Sequence, residues 1–394
     1  MNTSSERLLS ILEQLTAFPT VSDQSNLELI EYVRALTDSA ASMVHQLDDS
    51  KARKASLLLR FGPDAPGGIL LSGHTDVVPA DGDGWDSPPF TLTTRDDRLY
   101  GRGVADMKGF IAAALTAALQ HHEAAAAGSV AALQRPIYLA LTYDEEVGCL
   151  AAPSLIASFR DQVAPIEAAI IGEPTMMQPV LANKGISEYI TDFFGRSAHS
   201  SKPHLGINAI ELAHRYMNRI LELATEFRRS GADNSCIPPY TTVQIGTIHG
   251  GSATNIVPDH CRISCDLRCF HDRDRQYFEQ ELAAARTLLL AEFKLDQSSM
   301  RTTITCTVPP LEPRPDSAAL RLAAGLTGIT EPLWVPYATE AGQYQQAGYE
   351  AVILGPGSIE QAHQNNEWIA LDQLEDCLKL LQQLFSRQST PATK

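Results

Sequence analysis

Apolar positions between residues 6 and 36 recur at helical spacing: Leu8, Leu9, Ile11, Leu12 and Leu15, then Leu27, Leu29, Ile30, Val33 and Leu36, with a break at Phe18-Pro19-Thr20. That period predicts two helices and a turn. The runs then shorten. Residues 54–61 (KASLLLRF) and 69–71 have strand length, and the proline and glycines of 62–68 predict a hairpin connection between them. A long alanine-rich helix is expected from Lys108 to about residue 125, with 124–132 fraying into a surface loop. Two nearly continuous apolar runs, 137–143 and 168–171, predict further buried strands.

From Lys184 the texture changes. Residues 185–194 alternate, a helix is expected over 207–227, and a polar loop (228–239) leads into a strand at 241–248. Cys261, Ile263, Cys265, Leu267 and Cys269 then alternate with Arg262, Ser264, Asp266 and Arg268, the pattern of a strand with one covered face. A helix over 273–293 and a strand over 302–307 complete a β-α-β-β-α-β order, which fits a ferredoxin-like unit. Pro309, Pro310, Pro313 and Pro315 mark a linker, after which 351–354 reads as a buried strand and 371–385 as a final helix. The expected architecture is therefore α/β: a mixed sheet flanked by helices, built from 1–183 plus 310–394, with an inserted α+β domain at 184–309.

At 394 residues the chain is longer than one core usually supports, and 44% hydrophobic residues are enough to bury two. A formal charge of −16 disfavours a nucleic-acid footprint and points to small-molecule or protein partners. The N-terminus lacks a basic start and a small-residue cleavage site, and no apolar run reaches the ~18 residues of a membrane span, so the chain reads as cytoplasmic. Seven cysteines without a CxxC pair argue against a disulfide framework or a cysteine-built metal site; the even-spaced stripe from Cys261 is expected to pack in the core.

Isolated acids and histidines stand where the buried strands end. His74 and Asp76 follow 69–71, Glu145 and Glu146 follow 137–143, Glu173 follows 168–171, and His363 follows 351–354 through a glycine turn. Asp106 stands just ahead of the alanine-rich helix, where it could also serve as a cap. In open α/β sheets ligands bind outside the carboxyl ends of strands. Gathered there, two imidazoles and four or five carboxylates without a lysine carry too much negative charge to leave unpaired, and divalent metal would neutralise it. Imidazole with carboxylate suits zinc, with cobalt, manganese or iron as substitutes, and the ligand count suggests two ions sharing a carboxylate.

The strings SGHTDVVP, GRGVADMKG, YDEEVGC, GEPT, GRSAHSS, GGSATNIVPD and GPGSIEQAH occur in that order over nearly the whole chain. In this the sequence resembles the di-zinc metallohydrolase family (peptidase family M20) of acetylornithine deacetylases, succinyl-diaminopimelate desuccinylases, aminoacylases and glutamate-releasing carboxypeptidases. TEAGQYQQAG and GPGSIEQAH are most similar to its acetylornithine deacetylase branch. The resemblance implies two zinc ions, replaceable by cobalt: His74 and Glu173 on one, Glu146 and His363 on the other, and Asp106 bridging. It implies that Asp76 accepts a hydrogen bond from the other nitrogen of His74 and that Glu145 is the general base. His199 is expected to stabilise the oxyanion, reaching the substrate of a facing subunit in a homodimer formed through the inserted lid domain. Arg268 and Asn255 are the candidates for gripping a substrate carboxylate. The implied reaction is hydrolysis of an N-alpha-acyl amino acid, N2-acetyl-L-ornithine first, with a desuccinylase, aminoacylase, dipeptidase or non-catalytic binding protein as alternatives. Gln364-Asn365-Asn366-Glu367 departs from the Lys-Pro-Asp-Glu-like run that commonly follows the last histidine in the family.

Overall fold

The computed structural model describes residues 3–80, 84–231 and 236–390. Residues 81–83, part of the loop expected at 228–239, and residues 391–394 lie outside the described residues. Two compact units emerge: one from the described residues of Met1–Leu181, Arg314–Leu333 and Thr339–Lys394, the other from those of Ala182–Pro313 and Trp334–Ala338.

The first unit opens with α1 (Thr3–Ala17) and α2 (Leu27–Thr37), followed by β1 (Ser42–Asp49), β2 (Lys54–Phe61), β3 (Gly68–His74), α3 (Gly109–Ala126), β4 (Ile137–Thr142) and β5 (Ile166–Ile171). Its sheet runs β1-β2-β4-β3-β5 and then the short strand Ala351–Ile353. β1, β2 and β4 pair antiparallel, whereas β3, β4, β5 and Ala351–Ile353 are mutually parallel, with Leu71 opposite both Leu139 and Ile170. Every residue of β3 and β4 is buried, as their unbroken apolar runs require.

The hairpin expected across 62–68 does not form. Ile137 pairs with Phe61 on one edge of β4 and with Ile69 on the other, so β4 lies between the two strands the loop connects. Two strand spacings amount to only about 10 Å, well within reach of such a loop. A wholly apolar strand with helices on both faces gains most from a central place. β1 was not expected at all. Its sequence, SMVHQLDD, has too few apolar residues to stand out, because it pairs along one side only. The helix α3 is more deeply buried than an amphipathic pattern would allow: every residue from Gly109 to Leu119 is enclosed, and alanines let α1 and the C-terminal helix Leu371–Gln388 approach it closely.

In the second unit β6 (Gly185–Phe194), α4 (Ala209–Arg229), β7 (Thr242–Gly250), β8 (His260–Cys269), α5 (Asp272–Glu292) and β9 (Met300–Val308) form an antiparallel sheet of order β7-β8-β6-β9. Asn208 caps α4 by accepting from the amides of Ile210 and Glu211. Cys261, Ile263, Cys265 and Leu267 are buried against α4 and α5, while Arg262, Ser264, Asp266 and Arg268 face outward. All seven cysteines are free; six are buried, as expected of packing residues, and Cys306 is partly exposed. The unit also takes in residues beyond the expected 184–309 insert. Asn183 accepts from the Leu311 amide and donates to the Tyr337 carbonyl, tying the linker and the Trp334–Ala338 segment to its base. Among the described residues no helix is long and apolar enough to cross a membrane.

Candidate metal centre

Because β3, β4, β5 and Ala351–Ile353 run parallel, their carboxyl ends fall on one edge of the sheet, and the side chains that follow them meet there. His74 closes β3, clamped by Thr75, whose amide and hydroxyl both donate to the Thr142 carbonyl at the end of β4 (2.9 and 2.7 Å). Glu173 follows β5, where the Gly172 amide donates to Ser72. Close approach of the last two strand ends requires Gly355: a Cβ there would lie 2.2 Å from the Gly172 carbonyl oxygen. Asp106 comes from the turn Val104–Lys108 ahead of α3, with a cis peptide between Asp106 and Met107.

The two oxygens of the buried Asp106 face different imidazoles. Oδ1 lies 3.0 Å from His74 Nε2 and Oδ2 lies 3.4 Å from His363 Nε2. Glu173 Oε1 stands 3.9 Å from His74 Nε2, and Glu146 Oε2 stands 2.9 Å from His363 Nε2. Two ligand sets result, His74-Asp106-Glu173 and Asp106-Glu146-His363, each with its donor atoms within 4.8 Å of one another. Ligand atoms at 2.0–2.2 Å from a tetrahedral ion are separated by about 3.3–3.6 Å, so these spacings fit zinc-sized ions. Glu173 Oε1 is buried with no hydrogen-bond partner, a cost that a metal ion would remove.

The electrostatics agree with that fit. Burial and the neighbouring carboxylates Asp106, Glu145 and Glu146 push the Glu173 carboxyl well above its ordinary range, although His74 opposes them. Glu145 is raised well above its range by burial, with Glu146, Asp106 and Glu340 adding to the effect and His74 opposing it. Hydrogen bonds to Asp106 and Glu146 raise His363 to about 10 against its partial burial. Burial would raise the Asp106 carboxyl too, but His363 and His74 hold it far below the usual carboxylate range. Such mutual distortion marks a site that wants positive charge.

Asp76 departs from its expected part. His74 Nδ1 lies 2.9 Å from the Asp76 backbone carbonyl, while the Asp76 carboxylate is 3.6 Å away, an ion-pair separation rather than a hydrogen bond. That carboxylate accepts instead from Ser22 Oγ (2.8 Å) and from the amides of Glu145 (3.2 Å) and Glu146 (3.3 Å). Asp76 therefore holds the Glu145-Glu146 turn as well as sitting beside the imidazole. Lys54 braces the same turn from β2, with Nζ 2.5 Å from Asp144 Oδ1. Glu145 keeps one oxygen against the Cys149 thiol, 3.3 Å away.

Two buried acids escaped the sequence reading of the site. Glu340, in the TEAGQYQ stretch, lies behind β3 with Oε2 near Ser72 Oγ (3.3 Å) and Oε1 unpartnered; burial raises it to about 7. Glu367 accepts from the amides of Gly103, Ala105 and Asp106 and from Arg102. Nothing in local composition separates either from a solvated acid. The departure after His363 also finds a use, since Asn366 accepts from the Asp86 amide (2.8 Å) and donates to the Gly84 carbonyl (3.0 Å).

The remaining candidates belong to the second unit. His199 pairs with Ile256 in a two-stranded ladder, and the Ser200 amide donates to the Asn255 carbonyl, so His199 and Asn255 are neighbours on an exposed turn. His199 Nδ1 is 2.8 Å from Ser201 Oγ. Arg268 is elsewhere, at the other end of β8, with Nε 3.1 Å from both oxygens of Asp266. The eight steps along β8 from His260 to Arg268 cover about 26 Å at ~3.3 Å per residue. The structure thus brings His199 and Asn255 together and keeps Arg268 apart from them.

A mixed sheet that gathers paired ligand sets around one shared carboxylate at its strand ends, with a ferredoxin-like second unit, is the architecture of a two-metal hydrolase. The chain belongs to peptidase family M20/M25/M40, whose model matches residues 70–387. It is 34% identical over 379 residues to the acetylornithine deacetylase of Myxococcus xanthus, with 95% of each chain covered. It is 35% identical over 383 residues to that of Pectobacterium atrosepticum, covering 96% of this chain and 95% of the relative. Among solved structures, aminopeptidase PepT from Bacillus cereus superposes with a TM-score of 0.77 at 18% identity, covering 98% of this chain and 99% of that one. The YXEP protein of Bacillus subtilis, described as a dinuclear metal binding peptidase, does so with 0.67 at 14%, covering 98% of each. At those identities the structures speak for the fold alone.

Proposed function

We propose that the protein is a cytoplasmic, two-zinc amidohydrolase that cleaves N2-acetyl-L-ornithine to L-ornithine and acetate, a step of arginine synthesis. The observation that carries the two-metal part is the division of Asp106, one oxygen towards each ligand set. The substrate rests on the similarity to acetylornithine deacetylases along 95% of the chain. His74 and Glu173 would hold one ion and Glu146 and His363 the other, with Asp106 common to both sets; cobalt would suit the same donors. When bound, the ions would supply Lewis-acid polarisation of the amide carbonyl and lower the pKa of the attacking water. Glu145 takes the proton of the attacking water and delivers it to the leaving amine. Its neighbour Asp76 keeps it in place through the two amides of the turn.

His199 stabilises the charge that develops on the carbonyl oxygen, and Asn255 and Arg268 bind the substrate carboxylate. Because His199 and Asn255 lie at one end of β8 and Arg268 at the other, one copy of the second unit cannot place all three on one small molecule. A homodimer solves this, with His199 and Asn255 given to the partner's substrate. β9 supports that assembly: it is an edge strand, and Arg301, Thr302, Thr303, Ile304, Thr305 and Thr307 are exposed along it without the proline or lysine that usually blunts an edge.

Turnover of acetylornithine is to be compared with succinyl-diaminopimelate, acetyl-citrulline and a dipeptide panel, on protein whose metal content is measured. Preference for acetylornithine with two metal equivalents per chain is the expected result. Equal or better turnover of another substrate would reassign the enzyme within its family.

A further inference from the structure

Glu367 is among the most completely engaged carboxylates in the first unit. It is 1% exposed. Its Oε2 accepts from Arg102 Nη1 (2.9 Å) and the Gly103 amide (2.8 Å), and its Oε1 from the amides of Ala105 (2.9 Å) and Asp106 (3.2 Å). None of these donors belongs to its own part of the chain. All come from the loop that presents Asp106, the carboxylate shared by both ligand sets.

The register of a small sheet puts it there. Strand Trp368–Ala370 pairs antiparallel with Arg98–Tyr100, Trp368 opposite Tyr100 and Ile369 opposite Leu99, and the Gly101 amide donates to the Glu367 carbonyl (3.1 Å). Glu367 is therefore the first residue beyond the pairing, and its side chain enters the turn at 103–106. Four residues earlier stands His363, half-exposed and with φ +60°, a backbone state that a non-glycine residue holds only when its surroundings impose it. One carboxylate thus fastens the loop of the shared ligand Asp106 to the short segment that carries His363.

We propose that Glu367 is a positioning residue of the metal centre, fixing Asp106 and His363 relative to one another so that the ligand set Asp106-Glu146-His363 is formed before metal arrives. The inference rests on the two-metal reading above. The other set needs Glu367 less, because His74 and Glu173 are delivered by the parallel strands β3 and β5 themselves.

Calorimetric titration of the metal-free full-length chain with zinc, together with the visible spectrum of the cobalt-loaded chain, tests it in Glu367→Gln. The amide keeps the size of the side chain but turns an NH2 towards backbone donors. Affinity for the weaker metal equivalent should fall by ~10- to 100-fold, the range for losing a residue that orients a ligand, while the tighter equivalent changes less than about threefold. The cobalt spectrum should change at the second equivalent only, and kcat should fall more than KM rises. A folded variant that binds both equivalents like the unchanged chain would overturn the proposal. Should Glu367→Gln not fold, Glu367→Asp decides in its place: its carboxylate, one methylene shorter, should weaken the same equivalent at least threefold, and unaltered binding would again refute the role. If the unchanged chain itself takes up only one equivalent, the two-metal reading fails, whatever the variants do.

Discussion

The two halves of the metal centre are built differently. His74 and Glu173 are almost wholly buried, at 1% and 4% exposure, and stand at the ends of adjacent parallel strands whose pairing sets their separation. His363 is half exposed, reaches the centre from a turn with strained backbone, and meets Glu146 from a turn that Asp76 and Lys54 must hold. One half is a product of sheet registration, the other of loops braced by carboxylates. Preorganisation by strands needs little help, whereas preorganisation by loops depends on outer hydrogen bonds.

Removing the proposed proton shuttle should have the largest effect and leave the contrast untouched. Glu145→Gln is expected to lower kcat by about 10³-fold, within the usual range for a general base, with metal content unchanged; a near-normal rate would remove Glu145 from that role. Next come the histidines. His74→Ala should abolish tight binding in the strand-built half and, since it leaves Asp106 Oδ1 without a partner in a part of the centre closed to water, disturb the other half as well, whereas solvent reaches the half-exposed place of His363. His363→Ala should cost one equivalent only. Metal analysis after dialysis separates the two, and equal losses would erase the difference between the halves.

Asp76→Asn is predicted to act mainly on the Glu145-Glu146 turn, because the carboxylate accepts two amides there and only the backbone carbonyl of Asp76 bonds His74. Turnover should drop roughly 10- to 100-fold with the His74 equivalent retained. Loss of that equivalent would restore the simpler part of a histidine orienter.

The smallest effect concerns stability. Glu340 titrates at about 7 in the folded metal-free chain against an ordinary value of 4.5, because burial disfavours its charge. Between those values the folded chain holds a proton that the unfolded chain has released, so stability falls as pH rises from about 4.5 to 7 and stays lower above that. Glu340→Gln removes the dependence, which amounts to about 3 kcal/mol at most. Metal-free unfolding curves at pH 5 and pH 8 should therefore show less difference in the variant than in the unchanged chain; identical pH dependence would mean that Glu340 is not titrating in this window.

Much of this was legible beforehand because it depends on local pattern. Helical spacing marked α1 and α2, unbroken apolar runs marked β3 and β4, clean alternation marked β8, and an acid or histidine after each buried run marked the centre. Edge strand β1 was missed, since a strand paired on one side carries only a weak apolar signature. The loop at 62–68 misled because proline and glycine announce a turn without saying which strands it joins.

By itself, then, the sequence marked the strongly periodic helices and strands, the change of texture at Lys184, and the acids and histidines that follow the apolar runs, since periodicity is a property of neighbouring residues. Only the tertiary structure decided that β4 divides β2 from β3, that Asp106 turns one oxygen to each histidine, and that Asp76 and Glu367 serve turns distant in the chain. Pairing partners and hydrogen-bond acceptors are chosen by the competition among all segments for burial, and no single stretch of sequence contains that competition.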